Sequence, residues 1–404
     1  MRALGPVLIL ALLPACVAAN VERSARPLPR PDATSTPASS FDAWREDFEA
    51  RALAAGITQA TLDRARPHLR PLPDSLALDR RQSEFGARVW DYLDSAVTEQ
   101  RISAGRAAMA RHAQTLRAIE ARFGVPPQIL TAIWGIETSY GANRGTTPIL
   151  ATLATLAKDG RRAAFFEGEL MAALRMVQAG KVTPARFIGS WAGAFGHMQF
   201  MPSSYMTYAV PFSGSGAPDV WSDSPADALV SAANYLQRRG WKRGQPWAVE
   251  VTLPQGFDLG LTGQRRSDWS ALGLSATGGA LSPAPARLLL PGGARGPAFL
   301  AYENYDVLKE YNISDAYVLA VGHLSDRLAG GGALRGQWPR GDRALTLAER
   351  TEVQRILNAK GHDTAGIDGR HGPATVAAVQ AWQRANGLPP DGYINADLLA
   401  RLRR

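Results

Sequence analysis

A glutamate set in an almost wholly apolar helical stretch restricts this 404-residue chain more than any other feature. The stretch runs Val125-Pro-Pro-Gln-Ile-Leu-Thr-Ala-Ile-Trp134-Gly-Ile-Glu-Thr-Ser-Tyr-Gly141. Two prolines can open a helix without losing interior hydrogen bonds and Gly141 can close it, so a helix of about four turns is predicted. Ile129, Ile133, Ile136 and Tyr140 recur at spacings of four and three and form one apolar stripe, with Glu137 three places after Trp134. This places the carboxyl group at the border of a buried face. Beside an indole and aliphatic side chains its charged form is poorly solvated, which favours the neutral acid near pH 7 and suits proton donation. Glu137 is therefore the candidate general acid. The competing reading is a solvated border residue of an amphipathic helix.

Hydrophobic residues make up 46% of the chain and charged residues 20%, which describes a folded globular protein and excludes a disordered one. The net charge of +9 suits an anionic surrounding: nucleic acid, a membrane surface or an acidic polymer such as cell wall. Basic residues are scattered, and Arg401-Leu-Arg-Arg404 is the one dense cluster, so no nucleic acid partner is expected. The single cysteine, Cys16, lies in an apolar N-terminal segment, which rules out a disulfide within the chain. Residues 1–19 read as an export signal, too short to span a bilayer. Val17-Ala-Ala19 offers ordinary cleavage, while Leu13-Pro-Ala-Cys16 resembles a bacterial lipoprotein box in which Cys16 would be acylated. Both alternatives stand. Residues 20–40, rich in Pro, Ser, Thr and Ala, form an extended tether.

From residue 41 helical patterning sets in, with helices predicted over 41–48, 52–66 and 98–123. Arg161 and Arg162 open another helix and are candidates for holding saccharide carboxyl or peptide groups, or simply surface arginines. The segment Ser190-Trp-Ala-Gly-Ala-Phe-Gly-His-Met-Gln-Phe-Met-Pro-Ser-Ser204 combines turn-forming glycines with Ser190 and Gln199 among aromatic residues, a mixture suited to sugar binding. His197 has no second His or Cys at ligand spacing, so no metal is expected there. Tyr235 belongs to either a core or a sugar platform. Short runs between Gly, Pro and Ser turns over 247–301 indicate a small β-rich insert, after which Asn312 or Ser314 caps a further helix. Residues 330–344 are a linker by composition, and 345–404 form a compact unit of binding-module size.

Four ordered motifs resemble the lytic murein transglycosylases of the membrane-bound B type. They are Glu137-Thr-Ser-Tyr-Gly, Gly193-Ala-Phe-Gly-His-Met-Gln-Phe-Met-Pro-Ser-Ser, Ala232-Ala-Asn-Tyr-Leu with Gly240-Trp, and Tyr311-Asn-Ile-Ser. The tail, with Asp368-Gly-Arg-His-Gly-Pro-Ala-Thr and Asp391-Gly, resembles the small three-helix peptidoglycan-binding domain. The resemblance implies a mainly α protein: a lysozyme-like helical catalytic domain over 41–329 with a β-rich accessory lobe, then the binding domain over 345–404. It also implies cleavage of the β-1,4 bond between N-acetylmuramic acid and N-acetylglucosamine without water, leaving 1,6-anhydromuramoyl ends. Glu137 would act as acid and then as base, which suits a chain with one carboxylate in a motif where glycosidases usually need two. Ser190, Gln199, Tyr311 and Asn312 would line the cleft, and Tyr235 and Tyr317 would form its aromatic wall. The implied partner is the peptidoglycan glycan strand, acted on by a monomer in the periplasm without a cofactor, with outer-membrane anchoring if Cys16 is acylated. A hydrolytic muramidase and a non-catalytic wall-binding protein are the alternatives. The family's calcium-binding loop, with alternating aspartates, here reads Pro211-Phe-Ser-Gly-Ser-Gly-Ala-Pro-Asp219, so no metal is expected.

Overall fold

The computed structural model describes residues 40–82 and 88–404. The export signal, Cys16 and the tether as far as residue 39 lie outside the described residues. The described chain is mainly helical, with one small sheet lobe and three hydrophobic cores.

Local chemistry sets the helix ends. Ser40, Thr58, Thr98 and Ser314 each accept a backbone N–H at the start of the helices Phe41–Ala54, Gln59–Ala65, Glu99–Arg111 and Asp315–Leu328, satisfying donors that a helix leaves unpaired. The single helix expected over 52–66 is broken. Phe41–Ala54 runs on past residue 52, and Gly56, at φ 88°, turns the chain before Thr58 starts a new helix.

The Glu137 helix spans Pro127–Thr138, with Pro127 in its first turn. Every residue from Ile129 to Thr138 is buried, so the helix has no solvated border. It lies inside a cage of other helices, packed against Asp315–Leu328, Glu99–Arg111, Ala113–Phe123 and Ala226–Arg238. It also ends three residues earlier than the sequence suggests. Ser139 and Tyr140 both adopt left-handed backbone, at φ 49° and 60°, instead of continuing the stripe to Gly141. Such conformations are uncommon for residues with a Cβ and cost on the order of 1 kcal/mol or more each. The surroundings hold them: Tyr140 donates to the Arg101 carbonyl at 2.7 Å. Gly105 and Gly135 make room for that ring, since a Cβ on either would lie under 3 Å from it.

The sheet lobe is antiparallel, in spatial order Arg265–Arg266, Ala286–Leu289, Ala298–Ala301, Ala248–Thr252 and Ser275–Ala276. Its own core gathers Val251, Trp269, Leu288, Leu300 and Tyr302. Beyond it the helices Leu347–Ala359, Pro373–Ala385 and Ala396–Leu402 enclose a third core around Val353, Leu357, Val379 and Trp382. A capping box between Thr346 and Glu349 opens this unit. Although residues 330–344 are a linker by composition, they are strapped down. Glu250 accepts the N–H groups of Arg335 and Gly336, and Trp338 packs on Trp90 with ring centroids 5.7 Å apart. The terminal unit in turn rests on the sheet lobe, where Asp391 accepts from Ala294 N at 2.9 Å and Arg384 donates to Gly260 O at 3.2 Å.

Candidate active site

Glu137 sits on the last turn of its helix and is 3% exposed. Its Oε1 accepts a hydrogen bond of 2.6 Å from the Tyr317 hydroxyl, while Oε2 is buried with no partner among the described residues. Burial raises the carboxyl pKa from 4.5 to about 8, and the Tyr317 hydrogen bond opposes that rise. The group is therefore neutral near pH 7, as its sequence surroundings suggest, though the cause is complete enclosure instead of a border position. A neutral carboxylic acid with a free oxygen is a proton donor without an acceptor. Among the described residues no second carboxylate shifts it.

Tyr317 reaches Glu137 from the helix Asp315–Leu328, which packs along the Glu137 helix. At 1% exposed it presents no face to a sugar, which corrects its assignment to an aromatic wall. Its hydroxyl is instead spent on the Glu137 carboxyl group. Tyr235 is corrected in the same way: it is fully buried, packs on Tyr208 and Tyr311, and donates to the Glu310 carbonyl. Tyr311, also fully buried, donates to Met198 O at 2.6 Å and so supports the loop that carries Met198 and Gln199, which corrects its assignment to a substrate-lining position.

That loop is a tight hairpin closed by paired hydrogen bonds between Phe195 and Phe200. At its tip Gln199 takes φ 49°, a left-handed conformation for a residue with a side chain. Its Nε2 donates to Gly196 O at 3.0 Å and Arg144 O at 3.3 Å, which leaves the carbonyl oxygen for a ligand. Ser190 is half-buried and accepts from Ala194 N at 3.1 Å, keeping its hydroxyl proton to donate. Asn312 spends its Oδ1 on Ser314 N at 3.0 Å, keeping its amide protons. Arg161 and Arg162 separate in role. Arg161 is bound to the Asp79 carboxylate and carbonyl, a fixed clamp to the helix Pro73–Gln82, which removes it from the free cations. Arg162 instead lies over Phe165 and Phe166, about 5 Å from each ring centroid, with no carboxylate partner among the described residues.

Tyr92 carries no mark of a site in the sequence. It is half-buried on the helix Val89–Ala96, which packs against Asp315–Leu328, and the Glu137 charge adds to the burial that raises its phenol pKa. Nothing local in Val89-Trp-Asp-Tyr announces a site. The only signal is tertiary, since the two residues are 45 positions apart.

Residues 40–326 match the Transglycosylase SLT domain family, and residues 346–402 match a peptidoglycan binding domain family. The membrane-bound lytic murein transglycosylase B of Escherichia coli (strain K12) is 39% identical over 214 residues, 51% of this chain. The match spans 58% of that protein's length. The crystal structure of SltB3 from Pseudomonas aeruginosa, in complex with NAG-anhNAM-pentapeptide, is 45% identical and superposes with a TM-score of 0.85. It covers 90% of this chain and 100% of that one. Escherichia coli Slt35 in complex with calcium is 32% identical with a TM-score of 0.60, over 70% of this chain and 92% of that one.

The residues of loop 211–219 do not fit a calcium ion. Asp227 accepts from Phe212 N and Asp219 N at 2.8 Å each, joining the two ends of the loop through its carboxylate. Asp219 itself accepts from Trp221 N and Ser222 N. Asp219 and Asp227 are committed to backbone N–H groups and Asp223 pairs with Arg144 at 3.3 Å, which leaves too few charged oxygens for a hard cation. Among the described residues no group of three or more acidic, His or Cys side chains is placed to hold a metal. Adding calcium or a chelator is therefore expected to leave both melting temperature and activity unchanged. A calcium-dependent rise in melting temperature would contradict this, since a native-state ligand at a hundredfold excess over its Kd stabilises by about 2.7 kcal/mol.

Proposed function

The chain belongs to the transglycosylase SLT family, and from that membership we propose that it is a peptidoglycan lytic transglycosylase with Glu137 as its one acid–base group. The bond cleaved is the β-1,4 link from N-acetylmuramic acid to N-acetylglucosamine. The observation that carries this reading is the enclosed, neutral Glu137 with its unpartnered Oε2. That oxygen carries the proton for the departing glycosidic oxygen. As the bond to C1 breaks, positive charge grows at C1 and the substrate's own N-acetyl oxygen stabilises it. Glu137, now a carboxylate held by Tyr317, takes the proton from the muramoyl C6 hydroxyl, whose oxygen closes on C1. Atoms balance without water, and the product carries a 1,6-anhydro ring.

Conventional retaining or inverting hydrolysis uses a second carboxylate to attack C1 or to activate water. Among the described residues none acts on Glu137, which favours the intramolecular route. Gln199, Ser190 and Asn312 supply an acceptor and donors for the acetamido and hydroxyl groups of the saccharide. Arg162 supplies a cation for a peptide carboxylate. The terminal helical unit would hold the polymer, raising the local concentration of strand near the cleft. Such a substrate places the protein in the periplasm, and acylation at Cys16 would tether it to the outer membrane. The chain would work there as a monomer.

Digestion of purified peptidoglycan followed by mass analysis tests the reaction. Products one water lighter than the hydrolytic muropeptides are expected throughout. Products of hydrolytic mass would overturn the lytic reading in favour of a muramidase on the same scaffold.

A further inference from the structure

His197 has no spacing for a metal ligand, yet it is buried with every polar atom engaged. Its Nδ1 accepts from Trp134 Nε1 at 3.2 Å, and its Nε2 lies 2.8 Å from the Ser222 carbonyl. A carbonyl can only accept and an indole N–H can only donate, so these partners fix the neutral tautomer with the proton on Nε2. The backbone carbonyl of His197 accepts from Thr138 Oγ1 at 2.8 Å, and the same Oγ1 accepts from Gly141 N at 3.0 Å. Gly141, at φ 89°, lies so close that a Cβ there would come within 2.5 Å of the imidazole. Two ties from one residue thus grip the Glu137 helix at Trp134 and Thr138, the positions three before and one after the acid.

The segment carrying His197 also carries Met198 and Gln199. Met198 O receives the Tyr311 hydroxyl, and Gln199 follows in its strained conformation. His197 is therefore the point at which the helix bearing the acid is registered against the loop that offers Gln199. The groups facing it are Arg144 at 3.4 Å, Asp223 through Arg144, and His112, whose ring also packs on Trp134. Burial, together with Arg144 and His112, keeps the imidazole below its ordinary pKa, which suits a permanently neutral link.

We propose that His197 is a positioning residue for the reaction: as a neutral imidazole between Trp134 and Ser222, it fixes the Glu137 helix against the Gln199 loop. The inference rests on reading Glu137 as the acid. Loss of the link lets the acid drift relative to the bound saccharide, and positioning errors of this kind fall on turnover more than on binding.

The test compares His197→Phe, His197→Asn and Trp134→Phe in the full-length protein, with purified glycan strands as substrate and below each variant's melting temperature. Asn can place its Oδ1 near the position of Nδ1 and accept from Trp134, whereas Phe cannot. His197→Phe and Trp134→Phe should each lower kcat about tenfold or more while KM moves less than about threefold, the scale of one lost buried hydrogen bond. His197→Asn should recover most of the loss. Nitrogen-15 spectra of the native protein should show a bare Nδ1 and a protonated Nε2 at pH 7. Since Trp134→Phe tests the same link from the other side, failure of His197→Phe to fold leaves the question decidable. Wild-type kcat in either Phe variant, an Asn variant no better than Phe, or the opposite tautomer would overturn the proposal. If those outcomes appear while Glu137→Gln is inactive, only the positioning role falls. If Glu137→Gln is active, the reading beneath it falls instead.

Discussion

Glu137→Gln is expected to abolish nearly all cleavage while making the protein more stable at neutral pH. The amide keeps the shape and accepts from Tyr317, but it has no proton to give, and general acid–base catalysis typically contributes a factor of about 10²–10⁴. A loss below about tenfold would point to a different acid. The stability effect follows from the same burial. A folded pKa of about 8 against an unfolded 4.5 means that the native state retains a proton the unfolded chain releases. This favours folding fully below pH 4.5 and is progressively lost as pH rises to about 8, where the buried group ionises. The Gln variant has no such dependence. Its melting temperature should therefore gain on that of the wild type across this window, at a slope of up to about 1.4 kcal/mol per pH unit. Parallel melting curves at all pH values would show that Glu137 is not held neutral.

Tyr317→Phe should lower kcat by about ten- to a hundredfold and move the alkaline limb of the activity profile to higher pH. The hydroxyl donates to Oε1 and stabilises the carboxylate that forms once Glu137 has given up its proton. Hydrogen bonds to charged groups contribute about 1.5–3 kcal/mol, which sets the size of the loss. Because this bond lowers the Glu137 pKa against the larger effect of burial, removing it lets the pKa rise further. A variant slowed by disorder alone would lose rate without that upward shift. An unchanged or lowered limb would remove Tyr317 from the reaction.

The burial of Glu137 is legible in the sequence because its surroundings are local: two prolines, an apolar stripe and an indole three residues away. The sheet lobe and the three terminal helices were likewise carried by short-range turn and periodicity signals. What escaped was the tertiary environment. The stripe on the Glu137 helix reads as one buried face, but four helices cover it and bury all sides. Tyr317 lies 180 residues from Glu137, so no spacing rule distinguishes a tyrosine that holds an acid from one that faces a sugar. Tyr235 and Tyr311 were misread for the same reason: a phenol's face and its hydroxyl serve different ends, and only packing decides which is used. The early end of the helix at Thr138 depends on a side chain bonded to the carbonyl of a residue 59 positions away. The linker's Gly-rich composition likewise gave no hint of the Glu250 carboxylate that pins it.

One buried carboxyl group stays protonated to about pH 8 in the resting protein. Infrared difference spectra between wild type and Glu137→Gln, recorded from pH 5 to 10, measure this directly. A carboxylic acid C=O band belonging to Glu137 should persist at pH 7 and give way to carboxylate bands with a midpoint at about 8. Carboxylate bands from Glu137 already present at pH 6 would contradict it.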